Sequence, residues 1–130
     1  MIVGERFSFS EWLKWAGRGD LPKVPGIYRV AKSKPSNIIY CGKSWGDGGV
    51  RKRVSAFHYS ATTGLKRHAG GVTYHHKFGK SVRDLLVSVH IPYAINTDPE
   101  ILWMYIRYAE RAAIWDCVRS TGAKPICNID

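Results

Sequence analysis

Glu110 stands out because of what surrounds it. At about 100° per residue, the helix expected through this region places Glu110 among Trp103, Ile106, Ala113, Ile114 and Cys117. Glu100, Arg107 and Arg111 form a separate polar stripe. An acid in apolar surroundings must be paired with a cation, kept neutral or bound to a metal ion. Asp116 also falls off the stripe, so a structural pairing with a nearby Lys or Arg is open for either carboxylate. Two tyrosines, Tyr28 and Tyr40, lie on expected strands, where their type is ordinary by propensity.

Basic chemistry is concentrated in one segment. From Arg51 to Arg83 there are eight Lys or Arg residues and no acid, and four of the five histidines fall there too. Such a run is either a solvated face or a surface for phosphates, with Arg51, Lys52, His58, Lys66, Arg67, His68, Lys77 and Lys80 as the contacts. Phe57, Tyr59, Tyr74 and Phe78 interleave with the charges and could stack on bases, although single aromatics in a helix usually pack inward. None of the histidines is paired with a CxxC at ligand spacing, so the pattern does not fit zinc.

With 130 residues the chain is sized for one domain, 1–130, carrying a single core. Twenty Lys and Arg against ten Asp and Glu give a net charge of +10, and 45% hydrophobic residues excludes a disordered basic tail. A positive surface of this size favours a polyanion, either nucleic acid or an anionic membrane. The apolar run beginning at Leu85 is too short to span a bilayer, and Glu5, Arg6 and Glu11 stand where a signal peptide needs apolar residues. No membrane association is expected. Cys41, Cys117 and Cys127 are odd in number and lack CxxC spacing, which fits a reducing cytoplasm.

These groups must be held by a small set of elements. Ser8 or Ser10 caps an expected helical extension at about 8–19, ending at Gly17 and Gly19. Pro25-Gly26 punctuates the chain before a strand at 27–30, Lys34 to Asn37 carries turn residues, and 38–42 is a second strand. Val50, Val54, Phe57 and Ala61 predict a helix from 50 to about 62. The glycine-rich stretch 64–79 is turn-like. Alternating Leu85, Val87, Val89 and Ile91 predict a third strand, and Thr97-Asp98-Pro99-Glu100 opens a helix that runs to about Thr121. The sum is an α/β (α+β) domain: a small three-stranded, mainly antiparallel sheet flanked by helices.

Gly26-Ile27-Tyr28 and Tyr40-Cys41-Gly42, with eleven residues between them, closely resemble the two tripeptides that name the GIY-YIG nuclease family. Lys43 directly after the second motif, Arg53 in Arg53-Val54-Ser55-Ala56-Phe57, Glu110 in Ala109-Glu110-Arg111, and Asn128 after Pro125 follow in the same order. Cys41 stands where the family more often has Ile or Val. The 45–49 loop looks longer than usual, which leaves Arg51 as an alternative to Arg53. His58 follows Arg53 by five residues, where several relatives place a histidine at four.

The resemblance implies metal-dependent hydrolysis of DNA phosphodiester bonds. Glu110 would hold a divalent cation, Mg²⁺ or Mn²⁺, and Arg53 would stabilise the charge growing on phosphorus. Tyr28 would be the general base, with Tyr40 its rival and Lys43 an electrostatic aid. Asn128 would tie the C-terminal tail to the active-site shell. The DNA backbone would lie on the basic segment, a double-strand break would need a homodimer or two encounters, and a partner protein could supply targeting. A non-catalytic nucleic-acid-binding module on the same scaffold is the alternative. RNA or a membrane as the polyanion has only net charge in its favour.

Overall fold

The structure is a computed structural model that describes residues 8–92 and 98–129. Four strands, β1 (Leu13–Lys14), β2 (Gly26–Lys32), β3 (Ile38–Ser44) and β4 (Leu85–His90), form one sheet in the order β1-β4-β2-β3. Every neighbouring pair is antiparallel. The third expected strand is β4, and the short β1 adds a fourth at its outer edge. Helices α1 (Gly49–Thr63) and α2 (Ala69–Phe78) cover one face, and α3 (Pro99–Thr121) covers the other.

Strand periodicity splits the core in two. Tyr28 and Val30 of β2 join Val87 and Val89 of β4 beneath Val50, Val54 and Phe57 of α1. On the opposite face Ile27 and Cys41 pack against Tyr105, Ile106, Ala109, Ala113, Ile114 and Cys117 of α3. The β2–β3 register shifts between Val30 and Ala31, where Val30 opposes Tyr40 but Ala31 opposes Ile38. The extra residue, Ile39, therefore sits on the same side as Tyr40, and both meet the α1/α2 core.

The expected helical extension at about 8–19 is replaced by β1 and a 3-10 helix at Trp15–Asp20. Ser10 is no cap. Its N–H donates to the Val89 carbonyl at 2.7 Å, and its Oγ accepts from Val89 N–H at 3.0 Å. Arg29 draws Phe9 and Trp12 onto its guanidinium at 3.8 and 4.7 Å from the ring centroids. Contacts to the sheet thus outweigh the local helix signal. Trp15 is buried against Phe57.

The glycine-rich stretch expected as turn contains α2. Gly71 must be small, because a Cβ there would stand 2.6 Å from the Phe57 carbonyl oxygen on α1. Helix α3 begins as its sequence predicts, with Asp98 accepting from Glu100 N–H at 2.9 Å and Pro in the first turn. Thr97, the other expected cap residue, lies outside the described residues. Gly122, at φ 83°, ends the helix. Among the described residues no helix is long and apolar enough to cross a membrane.

Candidate active site

Strand β3 forms one edge of the sheet, and a cavity of about 840 Å³ opens along it. Residues far apart in the chain meet there: Tyr40 and Lys43 from β3, Arg53 from α1, Arg67 from just before α2, Glu110 from α3, and Asn128 from the tail. Arg51 does not reach this cavity, so the structure separates the two arginines between which the sequence left a choice.

Glu110 is nearly enclosed, its side chain 13% exposed, and Lys43 Nζ donates to both carboxylate oxygens at 3.1 and 3.2 Å. The acid in apolar surroundings is therefore paired. Both groups open onto the cavity beside Trp103, which lies two helical turns before Glu110 and contacts Trp45 at 5.2 Å between ring centroids. Asp116, by contrast, pairs on the surface with Arg119 at 2.7 Å.

Asn128 closes the sheet edge. Its Oδ1 accepts from Cys41 N–H at 2.8 Å and its Nδ2 donates to the Cys41 carbonyl at 2.9 Å. Cys127 N–H donates to the carbonyl of the bulge residue Ile39 at 2.8 Å. The tail thus satisfies backbone groups that an unpaired β3 would leave orphaned.

The tyrosines are layered. Tyr40 lines the cavity, whereas Tyr28 is 1% exposed and lies behind it with ring centroids 6.0 Å apart. Gly42 and Gly70 make room for this layer. A Cβ on Gly42 would stand 2.6 Å from the Tyr28 hydroxyl, and one on Gly70 would stand 2.5 Å from Cε1 of Tyr40.

His68, which the sequence groups with the residues that touch a polyanion, is 1% exposed and belongs to this buried layer. It is the N-cap of α2, its Nδ1 accepting from Gly71 N–H at 3.2 Å. Arg67 and His68 both donate their N–H to Ser60 Oγ. The His68 Nε2 lies 2.6 Å from the Tyr28 hydroxyl. Because Nδ1 accepts, the neutral ring carries its proton on Nε2, which donates to the Tyr28 oxygen. Burial, with the Arg53 charge second, pushes the His68 pKa down to about 3. Tyr28 in turn hydrogen-bonds to Tyr40, and burial first of all holds its hydroxyl protonated well above the usual tyrosine range.

The remaining expected contacts scatter. Arg67 reaches the cavity and stacks on Tyr59 at 3.8 Å. Arg53 Nη1 donates to the Arg67 carbonyl at 3.3 Å. Lys52 lines the cavity too, but Lys66, Lys77 and Lys80 are exposed away from it. His58 is engaged within the fold, its Nδ1 accepting from Trp15 Nε1 at 3.0 Å.

A divalent cation would find oxygen chemistry at Glu110, with Asp47 also on the cavity wall. Among the described residues no three His, Cys, Asp or Glu side chains converge as a ligand set. A hard ion that keeps most of its water needs only one or two carboxylates, so Glu110 fits that role. The chain matches no protein-family model, no curated protein and no solved structure.

Proposed function

We propose that this chain is a metal-dependent endonuclease that hydrolyses DNA phosphodiester bonds with chemistry of the GIY-YIG type. The observation that carries the reading is the convergence of Tyr40, Lys43, Arg53, Glu110 and Asn128, matched to that family by their order in the sequence, on one cavity.

Each group has a task its position suits. Arg53 neutralises the charge that grows on the phosphate as water attacks. Glu110 would hold the cation, which would supply Lewis-acid stabilisation of the charge that develops in hydrolysis. Lys43, resting on both Glu110 oxygens, would share that carboxylate with a bound metal and add positive charge to the wall that faces the phosphate.

Tyr40 takes the base role here rather than Tyr28, the residue the resemblance favours. Tyr28 is enclosed, while Tyr40 faces the cavity. The donors also run in one direction, from Gly71 N–H to His68, from His68 Nε2–H to Tyr28, and from Tyr28 O–H to Tyr40. A hydroxyl at the receiving end of such a chain is stabilised as phenolate, as a general base requires. Phosphates on the exposed lysines supply affinity without sequence information. Three buried free thiols suit a reducing compartment such as the cytoplasm.

The test is the chemistry of the product ends. A duplex oligonucleotide cut in Mg²⁺ or Mn²⁺ should yield 5′-phosphate and 3′-hydroxyl termini, with none formed in EDTA. Salt-sensitive binding without cleavage in either metal, on linear and branched duplexes alike, would leave a binding module instead.

A further inference from the structure

A second cavity, of about 720 Å³, lies on the other side of α1, and nothing in the proposed chemistry uses it. Arg18 of the 3-10 helix, Lys23 of the following loop, and Arg51 and Lys52 at the start of α1 line it, with no acid among the lining residues. None of these four cations belongs to an ion pair among the described residues. Two are braced from within. Arg51 Nε donates to the Leu21 carbonyl at 2.5 Å, and Arg18 Nη1 donates to the Trp15 carbonyl at 3.1 Å.

The start of α1 does not itself supply the donors. Its first amides are spent inside the fold, Val50 N–H on the Val24 carbonyl, Arg51 N–H on Pro22 and Lys52 N–H on Gly48. Gly49 permits this approach, since a Cβ there would fall 2.2 Å from Val24 backbone atoms. The cavity's attraction therefore rests on side-chain charge. Four like charges along one wall repel each other until an anion screens them.

Lys52 and Ser55 line both this cavity and the one that holds Glu110. The two are neighbours across α1, joined by a lysine. We infer that the second cavity is a phosphodiester-binding groove, through which the N-terminal 3-10 segment guides the DNA strand away from the site of cleavage. This rests on the proposed nuclease reading for its direction, and it adds Arg18 and Lys23, which lie outside the acid-free basic segment. A polynucleotide strand suits a concave groove continuous with a second cavity. A bilayer surface, being flat, would meet only its rim.

The experiment measures binding of the intact protein to a labelled DNA duplex in EDTA across a salt series, for the wild type, Arg18→Gln/Lys23→Gln, and Lys23→Glu. Lys23→Glu is included because Lys23 is exposed and its replacement spares the Arg18 bond to the 3-10 helix. The groove predicts weaker binding for both variants, with a plot of log affinity against log salt shallower by about 0.9 for each phosphate no longer neutralised. It also predicts that a duplex too short to leave the catalytic cavity binds both variants like the wild type.

Unchanged affinity and slope on the long duplex, in variants whose melting temperatures match the wild type, would overturn the groove. So would a larger drop in affinity for phosphatidylserine vesicles than for DNA. Because cleavage is blocked in EDTA, the two readings separate: intact plasmid in Mg²⁺ with the predicted weakening of binding removes the nuclease and leaves the groove. Cleavage with unaltered binding does the reverse.

Discussion

The Tyr28 hydroxyl and His68 Nε2 lie 2.6 Å apart in a fully enclosed layer behind Tyr40, joining β2 to the N-cap of α2. Tyr28→Phe would leave the Nε2–H buried without an acceptor, at a cost of about 1–3 kcal/mol. Tyr59→Phe, on the half-buried side of α1, should change stability by far less. Urea unfolding of the two variants checks this, and equal effects would show that the Tyr28 bond contributes little.

The same histidine gives the fold a dependence on pH. His68 stays neutral in the folded state down to about pH 3, whereas in the unfolded chain it titrates near pH ~6.5. Its contribution is therefore complete above the unfolded value and is lost as pH falls toward the folded one, amounting to about 1.4 kcal/mol at about pH 5.5. His58 and His90, also lowered by burial, add in the same direction. The stability gap between the wild type and His68→Gln should narrow between about pH 7.5 and 5.5. A constant gap would place the acid sensitivity elsewhere.

Gly70 tests the placement of Tyr40. A methyl group there would press on the ring at 2.5 Å from Cε1, so Gly70→Ala should cost about 1–3 kcal/mol. It should also slow DNA cleavage by about tenfold or more if Tyr40 is the base, since small displacements of a catalytic group are expensive. Gly17→Ala, with no atom within 4 Å of the new Cβ, is the matched control. Full activity in a Gly70→Ala protein would remove Tyr40 from the mechanism.

Asn128→Asp replaces a donor with an acceptor opposite the Cys41 carbonyl. The variant should lose about 1–3 kcal/mol at neutral pH. Part of that loss should return as pH drops and the new carboxyl regains a proton to donate. Thermal melts at two pH values test it, a pH-independent penalty being the contrary result.

Much of this arrangement was legible in the chain because its signals are local. Pro25-Gly26 opens β2 and the Lys34 to Asn37 turn joins it to β3, and Asp98, Pro99 and Gly122 mark both ends of α3. The orientation of Glu110 follows from helical periodicity, and Lys43 proves to be its partner. What escaped depends on distant contacts. Ser10 and Trp12 imitate a helix start, yet they are taken up by β4 and Arg29. His68 reads as one more charge in a basic run, because its partner lies forty residues earlier in β2. Gly70 and Gly71 look like turn residues, and only the packing of Tyr40 and α1 explains glycine within a helix there. Trp103 was within reach, since it precedes Glu110 by seven residues on the same helical face.

The proposed function stands or falls on metal-dependent phosphodiester hydrolysis in the cavity along β3. The most direct measurement is to incubate supercoiled plasmid with the wild type, Glu110→Ala and Tyr40→Phe in Mg²⁺, Mn²⁺ or EDTA, and to follow nicked and linear products. Hydrolysis at this site predicts cutting by the wild type only with metal, and a fall of about a hundredfold or more in each variant while circular dichroism at the assay temperature stays close to wild type. Cutting by Glu110→Ala at the wild-type rate, or cutting that persists in EDTA, would contradict it.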